Sequence, residues 1–310
     1  MREKLVGVFV IVFLLVVSFH AYAKVLGFVD MPDEEIIVEQ PFKRIISLYG
    51  AHTENLFSLG LDREIIGVSK NEVYPPQAIK KPTFSYHDDA EKFIAAHPDL
   101  IIIRPMIARG YRNLVIKLQK AGITVISLQP TTVSEMFLYW KKLGMLTGKK
   151  RQAEEMIERF QQGLSWINLY VEAIPFTERK RVYFEAIHSK MKTFSPSSIA
   201  IFALKSAGGI NVADDAKAVR GTNIATYGKE RILSHANEID VYLAQRGTMN
   251  HTMVESILQE GGFKAIKAVR DREVYIIDEE IVSRPTMRLL EGIHQISKLL
   301  YADRFVDCNN

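Results

Sequence analysis

The chain has 310 residues, 47% hydrophobic and 25% charged, with 18 Gly, 11 Pro and a mean hydropathy of +0.00, which excludes disordered, collagen-like and disulfide-scaffold chains. A formal charge of +4 is too mild for a nucleic-acid binder, which carries a strongly basic domain or stripe. The length suits one large or two moderate domains, because single cores stop growing near ~250–300 residues.

The first segment reads as a secretory signal peptide over residues 1–23. Arg2 and Lys4 precede thirteen residues from Leu5 to Val17, too few to span a bilayer, and Ala21-Tyr22-Ala23 supplies a small-x-small cleavage site. Cleavage there leaves 287 residues with a charge of +3. The single Cys308 allows no intramolecular disulfide and no zinc-thiolate site. No Cys follows the cleavage point to carry a lipid. A soluble, unlipidated, monomeric periplasmic protein of a Gram-negative cell is expected.

Phe28 to Tyr49 reads as a hairpin feeding a first core strand at Arg44–Leu48. A helix at Thr53–Leu59, a strand at Glu64–Val68, a helix at Ala90–Ala96 and a continuous apolar strand at Leu100–Ile103 follow. Then come a helix at Tyr111–Ala121, a strand at Thr124–Leu128 and a helix at Thr132–Leu146. This alternation implies βαβ units and a mostly parallel sheet. From Lys149 to Ile174, Ala153, Met156, Ile157, Phe160, Leu164, Ile167 and Val171 recur at steps of three and four, and Pro175 closes the run. Twenty-six helical residues would measure about 39 Å, long enough for a rigid bridge. Alternation then restarts with a strand at Arg181–Ile187, a helix at Ser197–Ala207, a short helix at Lys229–His235, a strand at Asp240–Ala244, a helix at Thr252–Gln259, a strand at Glu273–Ile277 and a last helix at Thr286–Tyr301. The predicted fold is α/β: two Rossmann-like lobes with mostly parallel sheets, over residues 24–148 and 176–310, joined by one long bridging helix over 149–175.

Enzyme motifs fail to form. Gly144–Lys150 is one residue short of a phosphate-binding loop and lacks its final Ser or Thr, and no nucleophile elbow or helical His pair is present. A metal-dependent periplasmic hydrolase using His52, His87, His188 and His251 is the rival of another class, unsupported by any spacing. Arginine in loops is the prominent signal: Arg104 and Arg246 follow strands, Arg109 and Arg112 lie in the turn after Arg104, Arg220 sits in VRGTN, and Arg284 precedes Pro285. Ligands of open α/β sheets bind outside the carboxyl ends of strands, and guanidinium forks suit carboxylates and phosphates. An anionic ligand is expected.

Arg44 to Ser69 (RIISLYGAHTENLFSLGLDREIIGVS), Ala90 to Ile103 (AEKFIAAHPDLIII), the strand TVISL and AGGIN at Ala207 to Asn211 resemble the class III periplasmic binding proteins. These are the substrate-capturing subunits of ABC importers for ferric siderophores, haem and cobalamin. The resemblance covers nearly the whole mature chain and implies a cleft-binding receptor, without catalysis or an intrinsic cofactor or metal, that delivers a small-molecule chelate to an inner-membrane permease. It carries Glu91, followed by Pro98-Asp99, and Glu230 of YGKERILSHANEIDVYL over as permease-docking residues. Tyr86 falls near the axial tyrosine of haem-binding members, with His87 and His251 as alternatives. Tyr49, His52, Tyr86, Arg104, Arg109, Arg220, Arg246 and Arg284 are the expected ligand contacts, with Tyr111, Tyr227 and Trp140 as further candidate aromatic walls. An anionic ferric siderophore is the expected ligand, and a corrinoid or haem the alternative.

Overall fold

The computed structural model describes Val38, residues 40–219 and residues 222–302. The signal segment, most of the expected N-terminal hairpin, Arg220 and Cys308 lie outside the described residues. In the first lobe β1 (Ile45–Ser47), α1 (Gly50–Ser58), β2 (Ile65–Ser69), α2 (Pro76–Ile79), β3 (Thr83–Phe84), α3 (Ala90–Ala95), β4 (Leu100–Ile103), α4 (Pro105–Gly110), α5 (Arg112–Lys120) and β5 (Thr124–Ser127) alternate. The five strands form one wholly parallel sheet in the order β3-β2-β1-β4-β5. Every residue of β1, β4 and β5 is buried, as expected of strands covered on both faces. Asp99 sets the β1–β4 register by accepting from the backbone amides of Lys43 (2.8 Å) and Arg44 (2.9 Å).

Two antiparallel helices leave this lobe. Thr132 caps α6 (Val133–Thr147) in a reciprocal box with Glu135. Gly148, at φ +69°, then turns the chain into α7 (Lys150–Glu172). The 23 residues of α7 span about 34 Å. One continuous hydrophobic core runs from Ile45 and Leu100 in the first lobe, through Trp140 of α6 and Phe160 of α7, to Phe184 and Ile293 in the second. The lobes are therefore linked by both long helices and by shared packing, where the sequence pattern singled out one helix.

The second lobe contains β6 (Arg181–Ile187), β7 (Lys192–Phe194), α8 (Ile199–Ser206), β8 (Ile210–Asn211), β9 (Lys217–Ala218), β10 (Ile224–Thr226), α9 (Lys229–Ser234), β11 (Val241–Arg246), α10 (Val254–Gln259), α11 (Lys267–Arg270), β12 (Val274–Asp278), α12 (Glu279–Val282) and α13 (Leu289–Leu300). Its sheet is mixed, which corrects the expectation of two mostly parallel sheets. β8, β11 and β12 extend β6 in parallel, whereas β6–β7, β7–β10 and β10–β9 are antiparallel pairs. The antiparallel strands are two or three residues long, too short to show alternation. The last helix starts at Leu289 rather than Thr286, because Ser283–Arg288 crosses to the first lobe as a strap.

Candidate functional site

The first sheet reverses strand order between β1 and β4, so a crevice opens at their carboxyl ends. Tyr49 follows β1 and Arg104 follows β4, and the Arg104 guanidinium lies 4.6 Å over the Tyr49 ring. Burial pushes the Tyr49 hydroxyl above the ordinary phenol range, against the opposing charges of Arg104 and Arg284, so the ring presents a neutral hydroxyl. His52 stands behind it, edge-on at 5.1 Å. His52, expected among the ligand contacts, is fully buried with both ring nitrogens engaged. Nε2 lies 3.2 Å from the Ile103 carbonyl and Nδ1 2.7 Å from the Tyr139 hydroxyl. A carbonyl only accepts, so Nε2 carries the proton and Nδ1 accepts from Tyr139. Burial lowers the His52 pKa to about 3, which leaves a neutral brace.

The strap brings second-lobe residues onto this floor. The Pro285 carbonyl accepts from Asn55 Nδ2 (2.8 Å) and Trp140 Nε1 (3.1 Å). Arg288 donates to both carboxylate oxygens of Glu54 at 3.0–3.2 Å and to Glu280 at 3.2 Å, and its guanidinium lies 4.3 Å over the Tyr74 ring. Arg284 is nearly buried, pairs with Glu280 at 3.1 Å, and lies so close over Gly50 that a Cβ there would sit 2.5 Å from Nη1. A side chain at Gly50 would therefore displace the Arg284 guanidinium. Arg284, expected among the ligand contacts, lies between Glu280 of the second lobe and Gly50 of the first. Burial raises the pKa of Glu72, opposed by Ser69 and Arg284. Glu72 Oε2, Glu279 Oε2 and Arg284 Nε are buried without hydrogen-bond partners. Four carboxyl groups, Glu54, Glu72, Glu279 and Glu280, thus face Arg104, Arg284 and Arg288, a balance that does not favour an anion.

Higher on the first lobe, Tyr86, His87 and Tyr111 cluster with ring centroids 4.4–5.1 Å apart, and the Tyr111 hydroxyl is 3.1 Å from His87 Nδ1. Arg109 and Arg112 are exposed on α4 and α5. On the second lobe Arg246 is exposed and pairs with Asp278 at 3.3 Å, and His251 is exposed nearby. Tyr227 is buried beneath Arg231, and Trp140 is core. Glu91 and Glu230 are exposed in the first turns of α3 and α9, with Lys117 4.0 Å from Glu91. Among the described residues no group of three or more His, Cys, Asp or Glu side chains is arranged to hold a metal.

Sequence reasoning missed Glu54, Glu72, Glu280 and Arg288. One signal was available: His52, Thr53, Glu54 and Asn55 are consecutive polar residues in a helix whose both faces turn out to be buried. A polar run at core positions marks a satisfied network or a site.

A family model described as periplasmic binding protein matches residues 45–281. The uncharacterized ABC transporter substrate-binding lipoprotein YvrC of Bacillus subtilis is 25% identical over 289 residues, covering 89% of this chain and 85% of that protein. The vitamin B12-binding protein of Vibrio cholerae is 23% identical over 263 residues, covering 84% and 90%. A crystal structure of a Staphylococcus epidermidis protein, described as a possible iron-binding periplasmic solute-binding protein, superposes with a TM-score of 0.72 at 26% identity, over 84% of this chain and all of that one.

Proposed function

Because the chain belongs to the periplasmic binding protein family, in its class III form, we propose that it is the capture subunit of an ABC importer and that its ligand is a corrinoid held between the lobes. It is a binding protein and not an enzyme. The observation that carries the choice of ligand is the ionic balance of the cleft floor. Arg284 and Arg288 are spent on Glu54 and Glu280, and Arg104 is stacked on Tyr49. An anionic ferric siderophore would meet more carboxylates than free guanidinium groups there, so the expectation of such a ligand gives way. A corrinoid carries neutral primary amides, whose carbonyls suit Arg104 and which add no charge to a floor rich in carboxylates. The vitamin B12-binding relative supports the same direction.

Haem is the second reading, and the Tyr86–His87–Tyr111 cluster favours it, since a tyrosine hydroxyl beside an imidazole is a competent iron ligand. Titration of the purified protein with cyanocobalamin, haemin and a ferric catecholate, followed by calorimetry and visible spectra, tests both. Cyanocobalamin is expected to bind with Kd of about 1 μM or tighter. Haemin binding whose spectrum changes in a Tyr86→Phe variant would select haem instead, and catecholate binding alone would overturn both. Glu91 and Glu230 are assigned to docking on the permease, one per lobe, and the signal segment to delivery into the periplasm.

A further inference from the structure

Several large apolar side chains stand exposed where chain segments leave the carboxyl ends of parallel strands. Val73 and Tyr74 follow β2, Met106 follows β4, and Met249 and Met253 follow β11. Tyr74 lies at the lobe junction, under Arg288. Met106 is 39% exposed in the first turn of α4, two residues from Arg104, whose guanidinium covers Tyr49. Met249 is 54% exposed at the tip of a turn closed by backbone bonds between Gly247 and Asn250. The buried Asn250 side chain holds that turn, donating to the Gln245 carbonyl (2.7 Å) and accepting from the His188 amide (3.1 Å). The Glu279 side chain packs directly against Gly247, so a Cβ there would displace it. Met253, 56% exposed, begins the approach to α10. Met249 therefore stands exposed at the end of a turn whose backbone and Asn250 side chain hold it in place.

Methionine is unbranched and polarizable and adapts to irregular apolar surfaces. We propose that Met106 on one lobe and Met249 and Met253 on the other are specificity-determining contacts that hold the apolar faces of a macrocyclic ligand, and that Asn250 is the positioning residue for Met249. This rests on the macrocyclic reading above. The floor then handles the polar groups of the ligand and the methionine rim handles its hydrocarbon, so a hydrophilic chelate gains little from the rim.

The test uses protein labelled with methyl-13C methionine and cyanocobalamin as the probe. Ligand addition is expected to shift the methyl resonances of Met106, Met249 and Met253, and to leave those of Met136 and Met156, which are buried in the core, in place. Substitution of all three by Gln, which keeps length and removes hydrophobicity, is expected to weaken cyanocobalamin at least about a hundredfold, with each single change costing about tenfold. The unfolding midpoint is expected to stay unchanged, because all three side chains are exposed. Binding of cyanocobalamin with no shift at the three methyls, or with unchanged affinity in the triple variant, overturns the methionine assignment alone. Failure of the unaltered protein to bind cyanocobalamin or haemin overturns the macrocyclic reading and this inference with it.

Discussion

His52 sits in the middle of the candidate site without a charge, held by the Ile103 carbonyl and the Tyr139 hydroxyl, and its pKa of about 3 has a thermodynamic consequence. The unfolded chain protonates this histidine near the ordinary value of about 6.5. The folded chain does not. Its neutral form therefore contributes stability above pH ~6.5 that is lost as pH falls toward 3, at up to ~1.4 kcal/mol per unit. His188 has the opposite sign: its hydrogen bond to the buried Glu185 raises its pKa. That contribution is fully present below pH ~6.5 and is lost as pH rises through the folded value. Urea unfolding from pH 4 to 8 should show a shallower acid slope in a His52→Asn variant than in the unaltered protein. An identical slope would show that His52 is not the group being titrated.

At the scale of elements, α3 and α9 are six-residue helices that each present one glutamate to solvent, Glu91 and Glu230. Exposed complementary charges steer association more than they add affinity, and exposed substitutions shift stability by under about 0.5 kcal/mol. Reversal of both to Lys should abolish transport in reconstituted vesicles while ligand affinity in solution stays within about twofold. Loss of soluble binding in the same variant would place these residues in the cleft. Elements with a long period were legible from sequence: α7 through its steps of three and four, and β4 through its unbroken LIII, while the helix expected over Thr132–Leu146 corresponds to α6. The short strands β7, β9 and β10 were not, because their pairing is decided by neighbours distant in sequence. The site divides in the same way. The place of Arg104 is legible because it directly follows the apolar strand β4. The pairing of Glu54 with Arg288, 234 residues apart, is visible only once the lobes are assembled.

For the whole molecule, the lobes share two long helices, a continuous core and the Ser283–Arg288 strap. Rotation of the lobes about this hinge would strain the Glu54–Arg288 pair and the contact of Leu290 with Gly163 of α7. Bistable packing of that sort resists small continuous motion. Small-angle scattering with and without cyanocobalamin should therefore show a radius of gyration that changes by under about 1 Å. Compaction of several ångströms would mean that the strap releases on binding.

The bond from the Trp140 indole to the Pro285 carbonyl gives the protein an optical gauge of its own posture. The chain has only two tryptophans, and Trp166 is 68% exposed on α7 whereas Trp140 is fully buried. A buried indole emits to the blue of a solvent-exposed one, so the two are expected to be separable. The blue component belongs to an indole whose one donor is held by the strap, so any opening of the lobes that withdraws Pro285 changes its colour and lifetime without a label.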